Sequence, residues 1–323
     1  MVGWQERLRY RRVLVTGGTG FLGRHVAQRL EEIGADAYAV GSSYGDLRDR
    51  LAVGRLFRQE ITRSGYVVHL AYPGSTEGID TSVHHPFSLA SHLIQMDLNV
   101  IQQCVHEGIA KLLCMGSVCA YPETTSLPTE EGDLWNGYPE PVNAAYGLAK
   151  RTQLMLLEAA RQEHGLNGIH LIAANMYGPG DTSGHVIPSL ITRMRVAQRD
   201  GTPLVVWGDP HVTRSFLYVE DAAEGVCRAL ATYDSGDPLN LVSPVEVSMG
   251  QLVTWLSDRL GFTGPIDWDP SKPTGHRRRK FSPTKLEAAL GWVPATTLAE
   301  GLDATVAWHL AHVPLPIPTP KEA

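Results

Sequence analysis

Arg12-Val13-Leu14-Val15-Thr16-Gly17-Gly18-Thr19-Gly20-Phe21-Leu22-Gly23 is the stretch on which the fold turns. Its first five residues read as a short buried strand, with Val13, Leu14 and Val15 apolar and Thr16 β-branched. Glycines follow directly, and from Phe21 to Leu30 the spacing becomes helical, with Leu22, Val26 and Leu30 on one face. A strand, a glycine turn and a helix start together make a cradle for phosphate. Glycine lets backbone N–H groups approach an anion, and the helix dipole favours negative charge there. The spacing is G-x-x-G-x-x-G, at Gly17, Gly20 and Gly23, and in this setting it points to a dinucleotide site.

Outward from that unit the pattern alternates. Ala37 to Val40, Tyr66 to Ala71, Leu112 to Met115 and Ile169 to Ala174 read as further strands, and residues 53–63, 89–107 and 144–164 as helices. Strands separated by helical segments predict an α/β fold with a doubly wound parallel sheet, here over residues 1–175. From Tyr177 onward Pro179, Pro188, Pro203, Pro210 and Pro238 break the pattern. Residues 176–323 are expected to supply a smaller mixed C-terminal region that binds substrate, interleaved with late strands and helices of the first domain. In the tail, residues 313–323, proline recurs at alternate positions, which forbids helix and favours extended polyproline conformation.

Composition narrows the class. A chain of 323 residues with net charge -6 can bury a sizeable core and has no general positive field for nucleic acid or anionic membrane. No run approaches a membrane span, and cytoplasmic residence is expected. Cys104, Cys114, Cys119 and Cys227 form no C-x-x-C pair, and no metal site is assigned. Three of them read as small buried hydrophobes. Cys119 differs, because it lies two residues past Ser117, and continued strand alternation would put both side chains on one face.

Chemistry is concentrated in two short segments. Gly116-Ser117 ends the apolar run Leu112 to Met115, which presents the serine hydroxyl at the carboxyl edge of the sheet, where open α/β sheets bind ligands. In Asn143-Ala144-Ala145-Tyr146-Gly147-Leu148-Ala149-Lys150, Tyr146 and Lys150 stand four apart on one helix face. A nearby ammonium favours the phenolate and draws the tyrosine toward proton exchange at neutral pH. Serine and tyrosine there can act on one carbonyl or alcohol oxygen.

In this order, glycine turn, then Ser117, then Tyr146 and Lys150, the chain resembles the extended short-chain dehydrogenase/reductase family, and within it the GDP-L-fucose synthases. The matching stretches include Ser42-Ser43 with Asp46-Leu47, residues 116–122 with their Ser-x-Cys, and residues 175–181. They continue through Gly184-His185-Val186-Ile187-Pro188, Val206-Trp207-Gly208, residues 214–221 and Leu290-Gly291-Trp292.

The resemblance implies a GDP-hexose substrate, a nicotinamide cofactor and a homodimer formed through the helices near residues 89–107 and 144–164. Ser117, Cys119, Tyr146, Lys150 and His185 are the implied catalytic set, with Cys119 as base and His185 as acid at C3 and C5 of a 4-keto sugar. Tyr146 protonates the C4 oxygen, Lys150 holds the ribose, and Ser117 hydrogen-bonds the oxygen. The implied cofactor residues are Gly17, Gly20, Phe21, Leu22, Gly23, Ser42, Ser43, Asp46, Leu47, Leu70 and Ala71, together with Tyr146, Lys150 and His185. NADP(H) is favoured over NAD(H), because Gly41-Ser42-Ser43 follows the second strand where NAD readers carry a carboxylate, although Tyr44 stands where relatives carry a base. For substrate the implied residues are Asn175, Arg193, Trp207, Arg214 and either Arg279 or Lys280. A redox-neutral GDP-mannose 3,5- or 5-epimerase, and a non-catalytic nicotinamide sensor, are the alternatives.

Overall fold

The computed structural model describes residues 3–61, 65–73, 79–271 and 277–316. Most of the proline tail and His276 lie outside these. The first half of the chain runs β1 (Arg12–Thr16), α1 (Phe21–Glu32), β2 (Asp36–Val40), α2 (Arg50–Glu60), β3 (Tyr66–His69), α3 (Ile79–His84), α4 (Pro86–Glu107), β4 (Lys111–Ser117), α5 (Ala144–His164) and β5 (Gly168–Ala173). The second half adds β6 (Asn175–Tyr177), α6 (Val186–Asp200), β7 (Leu204–Trp207), β8 (Thr213–Tyr218), α7 (Val219–Thr232), β9 (Leu239–Leu241), β10 (Glu246–Ser248), α8 (Met249–Leu260), β11 (Ile266–Asp269), α9 (Thr284–Leu290) and α10 (Leu298–His312).

Six strands form a wholly parallel sheet in the order β2-β1-β3-β4-β5-β9. Strand alternation divides its side chains between two cores. Val13, Val15, Val68, Leu113 and Met115 pack with Leu22, Val26 and Leu30 of α1 and with α7. Leu14, Val67, Leu112 and Cys114 face α2, α4 and α5 on the other side. This two-sided cover is the doubly wound architecture expected from the alternating pattern. Three cysteines, Cys104, Cys114 and Cys227, are fully buried. Among the described residues no helix is long and apolar enough to cross a membrane.

The remaining strands build a smaller mixed region. β6 and β8 pair in parallel and β10 joins β8 antiparallel, while β7 and β11 form a separate parallel pair. Tyr177, Ile191, Phe216, Leu252 and Leu302 close a core of their own among α6, α8 and α10. Ser248 with Gln251 and Thr297 with Glu300 form capping boxes that start α8 and α10.

Several boundaries move for local reasons. α2 begins at Arg50 because the Asp49 carboxylate accepts from Leu51 N at 2.9 Å and caps the helix. β3 stops at His69, so Leu70 and Ala71 leave the sheet and cross the glycine turn. β4 runs on to Ser117 and there ends: Val118–Ala120 is a tight 3-10 turn, so the alternation expected to carry Cys119 does not hold.

Candidate active site

The glycine turn is a cradle closed to side chains. Gly17 has φ +69°, and a Cβ there would lie 2.7 Å from Ala71 N and 2.8 Å from the Leu70 carbonyl carbon. A Cβ on Gly23 would overlap the Gly17 carbonyl oxygen. Gly20 precedes α1 in extended conformation and Phe21 opens the helix, so its first N–H groups face the turn, while the Leu22 side chain is buried in the core. Residues this close fit the pyrophosphate of a dinucleotide, which needs backbone donors and no intruding Cβ. At the edge of β2, Ser42 and Ser43 are exposed, and Leu47 is half-buried. Asp46 is committed to an ion pair with Arg48 at 2.6 Å, and that guanidinium also reaches His92. Arg48 went unnoticed in the sequence, where it reads as an ordinary loop charge.

Ser117, Cys119 and Tyr146 come together where β4 meets the first turn of α5. Ser117 Oγ accepts from Cys119 N at 3.2 Å and stands near enough to the Tyr146 phenol to draw its pKa down. The helix can approach because residue 147 is glycine: a Cβ there would lie 2.5 Å from the Cys119 carbonyl oxygen. Arg151 locks the contact, donating from Nε to Ala120 O at 2.7 Å and from a terminal nitrogen to Gly137 O at 2.8 Å. Cys119 thus reaches the site by a capped turn and keeps part of its surface exposed.

Burial pushes the Tyr146 phenol well above its usual range, the Cys119 thiol adds to this, and the Ser117 hydroxyl opposes it. The expected draw of Lys150 toward phenolate is not among the influences on Tyr146, which desolvation dominates. Lys150 is 6% exposed and acts instead on Asp97 and His170. Tyr72, which follows β3, also stands at the site. Its ring meets Tyr146 edge to face at 6.2 Å, and burial together with Cys119 pushes its phenol up to about 12. It escaped notice because it belongs to no spacing pattern.

The smaller region supplies the cations. His185 precedes α6 and is exposed, and its ring makes no hydrogen bond or ion pair among the described residues. Further along α6, Arg193 donates to Val205 O and lies 5.8 Å from the Trp207 ring centre. Val205 and Trp207 occupy the outward face of β7, 42% and 61% exposed. Arg214 on β8 is pushed down to about 10 by burial and by Arg279, with Glu140 opposing. Arg279 pairs with Glu140 at 2.8 Å, both side chains mostly buried. Lys280 acts on Glu246 instead, so Arg279 is the basic residue that stands with Arg214. Asn175 opens β6 and is exposed.

Known proteins resemble this chain in sequence and fold. The chain matches the NAD dependent epimerase/dehydratase family over residues 13–242. GDP-L-fucose synthase 1 of Arabidopsis thaliana is 32% identical over 308 residues, with 94% of each chain covered. GDP-L-fucose synthase of Escherichia coli (strain K12) is 28% identical over 315 residues, covering 93% of this chain and 96% of that one. A solved GDP-L-fucose synthetase from Naegleria fowleri bound to NADP superposes with a TM-score of 0.84 at 31% identity, over 94% of this chain and 95% of the other. Glycine cradle, the meeting of Ser117 with Tyr146 and a sequence match over residues 13–242 agree: the chain belongs to the NAD dependent epimerase/dehydratase family.

Proposed function

We propose that the protein is a GDP-sugar epimerase/reductase of the GDP-L-fucose synthase type, which inverts C3 and C5 of a GDP-4-keto-6-deoxyhexose and then reduces C4 with NADPH. The observation that carries the reading is the thiol of Cys119 on the turn capped by Ser117, with both residues beside the Tyr146 phenol. A simple 4-epimerase has no use for a base there. The cofactor of the Naegleria fowleri relative, NADP, supports NADP(H) as the partner, held at Gly17, Gly20 and Gly23 with Ser42 and Ser43 toward the ribose.

Each residue has one task. The C4 carbonyl acidifies the protons on C3 and C5, so the Cys119 thiolate removes one and the electron pair passes to the C4 oxygen as an enolate. His185 returns a proton to the opposite face, which inverts the centre. NADPH, when bound, supplies the hydride for C4. Tyr146 then gives its proton to the C4 alkoxide, and burial suits it to this because it keeps the phenol in its protonated form at neutral pH. Ser117 hydrogen-bonds the same oxygen, and Lys150 supports the ribose. Arg214 and Arg279 take the diphosphate, and the Arg193–Trp207 pair offers a flat apolar face with a cation for the base.

The chain is further proposed to act as a homodimer through α4 and α5. Leu148, Thr152 and Met155 form a solvent-facing stripe on α5 that supports this, and light scattering after gel filtration measures it. The function itself is tested with GDP-4-keto-6-deoxy-mannose and NADPH. One NADPH oxidised per sugar consumed, with solvent deuterium entering C3 and C5, is the expected result. Epimerisation of GDP-mannose without any change in cofactor absorbance would replace the reading with the redox-neutral one.

A further inference from the structure

β9 closes one side of the main sheet, so a row of its backbone groups has no strand to pair with among the described residues. Asn240, at the centre of β9 and 0% exposed, turns that edge into a junction. Its backbone N–H donates to Glu131 Oε1 at 2.7 Å. Its side-chain Nδ2 donates to Thr129 O at 3.4 Å and to Ser282 O at 3.2 Å, and its Oδ1 accepts from the Tyr121 hydroxyl at 2.7 Å. The two carbonyls can only accept, so they fix which way the amide points. Tyr121 lies 119 residues before Asn240 and Ser282 lies 42 after it, so one buried amide gathers distant parts of the chain. None of these groups is used by the proposed reaction.

What the two arms of the junction carry gives it a consequence. Tyr121 follows directly on the 3-10 turn Val118–Ala120 that bears Cys119. Ser282 ends the segment that bears Arg279, and that segment is bridged to Thr129. Thr129 N donates to Lys280 O at 2.8 Å and Ser282 N donates to Thr129 O at 2.9 Å, which sets Thr129 beside Phe281 as a one-residue parallel bridge. The buried rings of Tyr121 and Phe281 meet at 5.7 Å and join the arms a second time. Beyond the bridge, Arg279 reaches Glu140 and stands with Arg214. A cleft of about 140 Å³ opens between the arms, lined by Val118, Tyr121, Thr129, Arg279 and Phe281 among others. Tyr121 and Thr129 are bonded to Asn240 itself, and Phe281 is held to it through the bridge.

We propose that Asn240 is a positioning residue for the substrate: its amide fastens the Arg279 segment to the Cys119 turn, and so sets the span between the guanidinium that takes the diphosphate and the thiol that works on the sugar ring. The inference rests on the roles proposed for Arg279 and Cys119. A diphosphate held by Arg279 fixes one end of the nucleotide sugar, so the hexose meets Cys119 only when that span is kept. The cofactor cradle is built on β1 and α1, with β3, β4 and β5 between β1 and β9 in the sheet, so loosening the junction should spare it.

The test uses two variants of the intact protein. Asn240→Leu keeps the branching of the side chain but none of its hydrogen bonds, and Tyr121→Phe removes a single hydroxyl. Hydrogen exchange read by mass spectrometry follows the fastening without any ligand. Peptides covering residues 126–133 and 277–284 should exchange at least about tenfold faster in Asn240→Leu, with residues 12–32 unchanged. Calorimetric titration should show GDP binding about tenfold weaker, while NADPH affinity by fluorescence stays at the wild-type value. In a double-mutant cycle Arg279→Met should cost much less GDP affinity in the Asn240→Leu background than alone, because the guanidinium is already displaced. Unchanged exchange, unchanged GDP affinity, or equal losses for GDP and NADPH overturns the proposal. A normal Arg279→Met effect with full additivity overturns it alone, whereas an Arg279→Met variant that binds GDP as the wild type does overturns it together with the role of Arg279. If Asn240→Leu does not fold, Tyr121→Phe carries the same cycle with a loss of about threefold for GDP, and the same outcomes decide.

Discussion

Glu140 sets up a conflict between stability and ligand binding that can be measured. Its carboxylate pairs with Arg279 at 2.8 Å, with side chains only 14% and 18% exposed, and it also counters the burial of Arg214. Among the described residues, Arg214 and Arg279 face the single carboxylate of Glu140, and Glu140→Gln adds one net positive charge. Breaking a largely buried pair and leaving like charges together costs about 1–3 kcal/mol. For a chain of this size that lowers Tm by several degrees. The diphosphate should respond the other way. A unit charge about 6 Å away at an effective dielectric near 20 is worth roughly 3 kcal/mol, which screening and relaxation reduce to about 1–2 kcal/mol. GDP should therefore bind Glu140→Gln about 5–30-fold more tightly, with a steeper salt dependence. Calorimetric titration with GDP and thermal melts of the free protein read the two effects separately. Weaker GDP binding by the variant, or unchanged binding with normal melting, refutes the idea that Glu140 competes with the diphosphate for Arg279.

Cys119→Ser should slow solvent deuterium entry at C3 and C5 by at least about 100-fold while NADPH binds as before, and proton NMR of the sugar records it; undiminished exchange removes the thiol from its role. Tyr146→Phe keeps the ring but not the acid, so stopped-flow hydride transfer should fall about 10²–10⁴-fold. Gly23→Ala would drive its Cβ onto the Gly17 carbonyl, and NADPH binding should disappear from a fluorescence titration. His170, pushed down to about 3 by burial and Lys150, couples folding to acid. Its folded pKa lies below the unfolded value near 6.5, so the unfolded chain takes the proton first. That contribution is complete above about pH 6.5 and is lost as pH falls toward 3, by up to about 1.4 kcal/mol per unit. Urea melts at pH 7, 5 and 4 should show the slope, and His170→Leu should flatten it.

What the sequence made legible was what depends on short-range spacing. The strand, glycine turn and helix at residues 12–32 follow from period and glycine placement, and α5 begins and ends at Ala144 and His164 as its pattern predicts. Tyr146 and Lys150 were found because four residues make one turn. The family resemblance and a two-residue spacing from Ser117 single out Cys119; the shared face would need the strand to persist, whereas Ser117 caps a turn there. Glu140 with Arg279 and Asp97 with His69 and Gln153 were invisible, because each joins residues far apart in the chain and none forms a pattern of its own. Tyr72 was missed for the same reason. It meets Tyr146 only because β3 and β4 are neighbours in the sheet while 74 residues separate the two phenols.

The same distinction explains how the two regions share the reaction. Ser117, Cys119, Tyr146 and Lys150 are built on the sheet edge and one helix, so their mutual placement is fixed by the main core. His185 comes from the other region and, among the described residues, its side chain makes no hydrogen bond or ion pair with them. The loop that leads to it is tied to α1 instead. His25 Nε2 donates to Pro179 O at 2.9 Å, Arg24 donates to Gly180 O at 3.2 Å, and Asp181 holds the backbone of Ser183 at 3.0 Å. α1 is the helix whose first turn forms the phosphate cradle, so the proposed acid is referenced to the cofactor site and the proposed base to β4. A hexose presented to both must lie across the carboxyl edge of the sheet, between the first turns of α1 and α5, which is where a nicotinamide from the cradle would meet it.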